Sequence, residues 1–200
     1  LKQICNHPAL ALKEKKITAA FLERSAKMQR LEEILEEVIE AGDRALLFTQ
    51  FAEWGHLLQE YLQERWEFEV PFLHGGTSKI ARQALVDRFQ EDPRGPQIFL
   101  LSLKAGGIGL NLTRASHVFH IDRWWNPAVE NQATDRAYRI GQENRVMVHK
   151  FITRGSVEER IDQMIREKST LSEEIIGAGE EWLGNLQISD LKELVKLEEH

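Results

Sequence analysis

The stretch QIFLLSLKAGGIGLNLTRASHVFHID, residues 97–122, carries the pattern that decides the fold. Two short apolar runs, Gln97–Leu101 and His117–Ile121, flank a glycine-rich segment at Ser102–Asn111. Runs of this length and composition read as strands buried on both faces. Gly106, Gly107 and Gly109 fall within four residues just past the first run. Without Cβ atoms there, backbone N–H groups can approach an anion closely; a tight turn is the plain alternative. The loop is not a dinucleotide fingerprint, since Leu112 stands where a third glycine belongs. No Gly-Lys-Ser or Gly-Lys-Thr of a Walker A loop occurs in the sequence.

Working outward, Ala45–Gln50, Val70–Leu73 and Val146–Phe151 read as further strands, and helical patterns lie between them. Ser25 caps an amphipathic run carrying Met28, Leu31, Leu35 and Val38, with Gly42 as its stop. Trp54, Leu57, Leu58 and Leu62 mark a second helix. Thr77 is expected to cap a third, ending at Asp92-Pro93. Asn126-Pro127 opens a fourth to Ile140, with Gly141 at its end, and Ser156 opens a fifth to about Glu174. This alternation predicts an α/β domain with a mostly parallel sheet flanked by helices on both faces. Ligands of such sheets bind beyond the carboxyl ends of the strands, which singles out the loops at 49–53, 74–77, 102–113 and 122–127. Residues 1–24 are expected to be a connector, 25–165 the domain, and 166–200 a helical, acidic C-terminal extension.

The 200 residues carry 26 Lys+Arg against 32 Asp+Glu, a net charge of −6, and are 42% hydrophobic, which argues against wholesale disorder. The charge is unevenly spread: residues 96–155 are net +4 and residues 156–200 net −7, so an anion would find the middle of the chain. A solvated surface gives the same pattern. No apolar run approaches a membrane span, so no membrane partner is expected. The single Cys5 excludes an internal disulfide. His117 with His120, and Cys5 with His7, lack a second pair at ligand spacing, so no metal site is expected in this chain. The chain opens on Leu1 rather than Met and reads as a piece of a longer protein.

On a helix from Pro127 to Ile140, Gln132, Arg136 and Arg139 fall along one edge beside the apolar stripe Val129, Ala133, Ala137 and Ile140. Guanidinium groups fork onto phosphate oxygens, which suits phosphoryl transfer. A surface pair of Asp135 with Arg139 is the structural alternative. Trp124 and Trp125 precede this helix and fit either core packing or a mobile element beside the basic segment.

Together LLFTQF (46–51), HGGTSKIARQALVDRFQ (74–90), LLSLKAGGIGLNLTRASHVFHID (100–122), WWNP (124–127) and QATDRAYRIGQ (132–142) resemble, in order and spacing, the C-terminal motor lobe of Swi/Snf-type ATPases of helicase superfamily two. LKQICNHPAL (1–10) resembles the stretch that precedes that lobe. The resemblance implies a RecA-like three-layer domain, one of two lobes that bind ATP with Mg²⁺ between them and double-stranded DNA across both. The Walker A lysine and the Mg²⁺ ligands would lie on the N-terminal lobe of the same protein, so this chain alone is expected to be inactive. It further implies that Arg136 and Arg139 are arginine fingers with Gln132 as companion, and that Gly107, Gly109 and Asn111 meet the nucleotide. Thr49, Gln50, Ser102 and Lys104 would touch DNA phosphates, and Trp125 with Asn126 would couple nucleotide state to DNA grip. Localisation would follow the DNA, cytoplasmic at the nucleoid in a prokaryote and nuclear in a eukaryote. The alternatives are a non-enzymatic module that binds nucleic acid or protein through the basic middle, and a nucleotide-dependent oxidoreductase or transferase, which the missing glycine weakens.

Overall fold

The computed structural model describes residues 1–103, 110–138 and 145–169, with side chains as far as residue 166. The predicted strands form at Ala45–Thr49 (β1), Phe72–Leu73 (β2), Ile98–Ser102 (β3), His117–His120 (β4) and Met147–Lys150 (β5). They make one all-parallel sheet in the order β2-β3-β1-β4-β5. The helices are Lys2–Asn6 (α1), Pro8–Ala11 (α2), Ala26–Glu40 (α3), Ala52–Trp66 (α4), Lys79–Glu91 (α5), Pro127–Thr134 (α6) and Val157–Ser169 (α7).

Alternation along the strands splits the core into two layers, as a sheet covered on both faces requires. Ala45, Leu47, Ile98, Leu100 and Phe119 pack with α2, α3 and α4 through Leu10, Met28, Leu31, Leu35, Trp54 and Leu58. Leu46, Phe48, Phe99, Leu101 and Val118 pack on the other side with Val86 and Phe89 of α5 and Ala133 of α6. This is the RecA-like three-layer arrangement.

Local chemistry sets the ends of the elements. The Ser25 hydroxyl accepts from the Met28 amide at the start of α3. At its other end Gly42 takes φ +74°, and the Asp43 amide donates back to the Val38 carbonyl at 3.0 Å. A left-handed residue there closes the last turn and aims the chain into β1. Gly55 has a different reason: a Cβ there would stand 2.2 Å from the Phe72 ring, so glycine lets α4 lie close to β2.

Three expectations change. Ser78, not Thr77, caps α5, accepting from the Ala81 amide, while the Thr77 hydroxyl accepts from the His74 amide at 3.0 Å. Residues 1–24, read as a connector, add to the core on either side of a mostly exposed stretch at 11–20: Ala9, Leu10 and Phe21 are buried, and the His7 ring stacks 4.2 Å from Phe21 and 5.5 Å from Trp54. The helix read as Pro127–Ile140 stops at Thr134 and continues as turns through Ala137. The Arg136 carbonyl then accepts from the Leu112 amide at 2.9 Å instead of staying in a helical ladder. Gly141, the end of the helix toward Glu174, and the tail lie outside the described residues.

Candidate functional site

The strands all end at one edge of the sheet. Thr49 stands beside Ser102 in the β1–β3 register, and Phe48 beside both Leu101 and His120. With β3 on one side of β1 and β4 on the other, the winding reverses at β1, the place where open α/β sheets offer a crevice.

Asp122, just past β4, organises this edge. Its carboxylate accepts from the Thr49 hydroxyl at 2.6 Å, the Gln50 amide at 3.1 Å, Gln50 Nε2 at 2.7 Å and Asn6 Nδ2 at 3.1 Å. Burial pushes its pKa up, while the hydrogen bonds from Thr49 and Gln50 and the charge of Lys27 push it back. Lys27, itself buried, donates to Asn6 Oδ1, to the Ile121 carbonyl and to Glu158 of α7 at 2.7 Å.

Arg123 fixes the next layer outward. Only 2% exposed, it pairs with Glu130 of α6 at 2.6 Å and with Asp162 of α7 at 3.0 Å. Glu130 also accepts from the Trp124 amide at 2.9 Å and pairs with Lys150 of β5 at 3.3 Å. The Asn126 side chain caps α6, accepting from the Ala128 amide at 2.9 Å. The Trp124–Trp125 turn is thus tied to buried charge on one side and to the cap of α6 on the other.

The expected site residues fall into four groups. Thr49 and Ser102 are buried at the strand ends, Gln50 is half-buried beside them, and the Thr49 hydroxyl is committed to Asp122 rather than presented to a phosphate. Asn111 and Gln132 are exposed, and Trp125 and Asn126 half-buried. Arg136 departs from the expected display along a helix edge: 5% exposed, its guanidinium lies over the Phe48 ring, 5.6 Å from the centroid. The physical reason is the end of α6 at Thr134, which turns Arg136 back toward β1. Lys104, Gly107, Gly109 and Arg139 lie outside the described residues.

Sequence reasoning missed Asp122, Arg123, Glu130 and Asn6. The signal available was an Asp-Arg pair directly after an apolar strand, where a buried charge needs partners from elsewhere in the chain. His120, considered as a metal ligand, is instead a neutral core residue. The Thr134 hydroxyl donates to the Glu130 carbonyl at 3.1 Å, so it accepts from His120 Nε2 at 2.9 Å; Nδ1 has no hydrogen-bond partner, and a second proton there would be buried without an acceptor. Its pKa is pushed down to about 3, by burial first and then by Lys150 and Arg123.

Among the described residues no group of three or more His, Cys, Asp or Glu side chains could hold a metal ion, and both Asp122 oxygens are taken by protein donors. This part of the chain does not fit a Mg²⁺ ligand set. No helix among the described residues is long and apolar enough to cross a membrane.

Residues 26–141 match the family model described as the helicase conserved C-terminal domain. A Bacillus subtilis protein, YwqA, named as a candidate ATP-dependent helicase/translocase, is 49% identical over 197 residues, covering 98% of this chain and 21% of that protein. The chromatin-remodeling ATPase INO80 of Neurospora crassa is 41% identical over 80% of this chain and 8% of its own. The chain therefore spans about a fifth or less of these relatives' length. The Sulfolobus solfataricus SWI2/SNF2 ATPase C-terminal domain matches with a TM-score of 0.78 and 40% identity, covering all of this chain and 79% of that one. The ATPase core from the same organism in complex with double-stranded DNA matches with a TM-score of 0.81 and 42% identity, over 41% of that chain.

Proposed function

Since the chain belongs to the helicase conserved C-terminal domain family as the C-terminal lobe of a Snf2-type ATPase, we propose that it is the second motor lobe of an ATP-driven translocase on double-stranded DNA. One observation carries the reading. Thr49 and Gln50 after β1 meet Asp122 after β4, and Arg123 and Trp124 beside it are tied to Glu130 of α6, so parts of the motif segments up to 81 residues apart share the carboxyl edge of one parallel sheet.

In this reading a first lobe of the same protein holds ATP and Mg²⁺, and the edge containing β1, β3 and the start of α6 faces it. Arg139 and Arg136 supply the guanidinium charge that stabilises the transferring phosphoryl group, with Gln132 beside them. Arg136 reaches a phosphate only by leaving the face of Phe48, so cleft closure includes that rearrangement. Gly107, Gly109 and Asn111 meet the nucleotide from the loop whose far end is tied to Arg136 through the Leu112 amide. Gln50, Ser102 and Lys104 contact the DNA backbone, with Thr49 behind them as a strut on Asp122. Phosphate contacts give grip without reading sequence, as a translocating motor requires. Trp125 and Asn126 couple the two sites. Such a protein works wherever its DNA lies, at the nucleoid or in the nucleus.

The test compares the 200-residue chain with the longer protein that contains it. Duplex DNA should stimulate ATP hydrolysis only in the longer protein. Robust DNA-stimulated hydrolysis by the 200 residues alone would overturn the division of labour.

A further inference from the structure

Lys2 of α1 lies against the turn that leads into α6, 121 residues away in sequence. Its Nζ donates to the Arg123 carbonyl at 3.0 Å and stands 4.1 Å from the centroid of the Trp125 ring and 6.0 Å from that of Trp124. The same carbonyl accepts from Gln50 Nε2 at 3.2 Å. One carbonyl, directly before the tryptophan pair, is thus held by the first helix and by the end of β1. A half-buried ammonium over an indole face is a directional contact, since it draws on the ring quadrupole and leaves little water between the groups. α1 is itself anchored nearby: Asn6 donates to Asp122 and the Cys5 carbonyl accepts from the Thr153 hydroxyl.

We propose that Lys2 is a positioning residue that holds the Trp124–Trp125 turn through the Arg123 carbonyl and the Trp125 ring, so that a displacement of α1 is passed to the start of α6. The consequence for function rests on the motor reading above, with the first lobe N-terminal to α1. The charged groups around Lys2 are Asp122 and Arg123 after β4, Glu130 on α6 and Glu158 on α7. Burial pulls the Lys2 pKa down to about 8, against the opposing pull of the three carboxylates. The contact therefore has a titration that can be read where ordinary lysines do not titrate.

The experiment uses the full-length protein carrying 5-fluorotryptophan, with the Trp125 resonance identified by its loss in Trp125→Phe. In the unsubstituted protein this resonance should shift with a midpoint near pH 8, and in Lys2→Met the shift should vanish. Lys2→Met should lower the maximal DNA-stimulated turnover about tenfold with the KM for ATP changed less than about twofold, and Lys2→Arg should restore most of it. A resonance that ignores pH, or that titrates equally in Lys2→Met, overturns the contact. Full turnover in Lys2→Met, or equal loss in Lys2→Met and Lys2→Arg, overturns the positioning role. If the unsubstituted protein shows no DNA-stimulated turnover, the motor reading and the role fail together, while the fluorine titration still decides the contact.

Discussion

Thr49 donates its hydroxyl to the Asp122 carboxylate at 2.6 Å, joining the ends of two neighbouring strands that are 73 residues apart in the chain. Thr49→Val keeps the shape and leaves a buried carboxylate one donor short, at an expected cost of about 1–3 kcal/mol in urea unfolding. Thr49→Ser should recover most of that loss, because it returns the hydroxyl. Equal stability of the valine variant and the natural protein would show that Asp122 does not organise the edge.

Lys27 and Glu158 form an ion pair between α3 and α7 with side chains 5% and 0% exposed. Lys27→Met leaves Glu158 charged and buried, so it should destabilise the fold by about 3–5 kcal/mol. The double variant Lys27→Met/Glu158→Leu should be more stable than Lys27→Met alone, since it removes the stranded charge. Denaturant midpoints of the three proteins decide this.

His120 predicts a pH dependence with a definite sign. Its folded pKa of about 3 lies below the 6.5 of an unfolded histidine, so between these values the unfolded chain binds the extra proton. The contribution of His120 is therefore fully present above pH 6.5 and is lost as pH falls toward 3. His7 and His149, also lowered by burial, add in the same direction. From pH 7 to pH 5 the loss from His120 alone is about 2 kcal/mol. Unfolding free energies at the two pH values should differ less in His120→Gln by about that amount.

Asn126 caps α6 through the Ala128 amide. Asn126→Ala should cost about 1 kcal/mol and Asn126→Asp, which keeps the cap, much less. If Asn126 also couples the two sites, DNA-stimulated turnover in the full-length protein should fall further in Asn126→Ala than this stability loss explains. Turnover that merely tracks thermal stability across both variants would reduce Asn126 to a cap.

The sheet was legible because β1 and β3 are short, continuous apolar runs followed by turn or helix-start signals, so that length and composition, rather than periodicity, mark them as strands. Ser25 and Gly42 marked α3 for reasons confined to a few residues. The polar edge was harder to read. Asp122 looks unremarkable beside Ile121 until the fold brings Asn6, Thr49 and Gln50 to it, and nothing local announces that Lys27 will meet Glu158. The Arg136 side chain went astray for a related reason. Helical periodicity over Pro127–Ile140 is real in the sequence, but the bond from the Leu112 amide to the Arg136 carbonyl is a tertiary contact that propensity does not contain. The first 24 residues lacked a strong pattern, yet Leu10 and Phe21 are core residues.

As a motor lobe, this chain offers a guanidinium charge to a phosphate held elsewhere. The direct measurement is DNA-stimulated ATP hydrolysis and duplex DNA affinity in full-length protein carrying Arg139→Ala. Hydrolysis should fall about a thousandfold or more while the Kd for DNA changes less than about threefold. Hydrolysis within about tenfold of the unsubstituted protein, or matching losses of hydrolysis and DNA binding, would contradict that role.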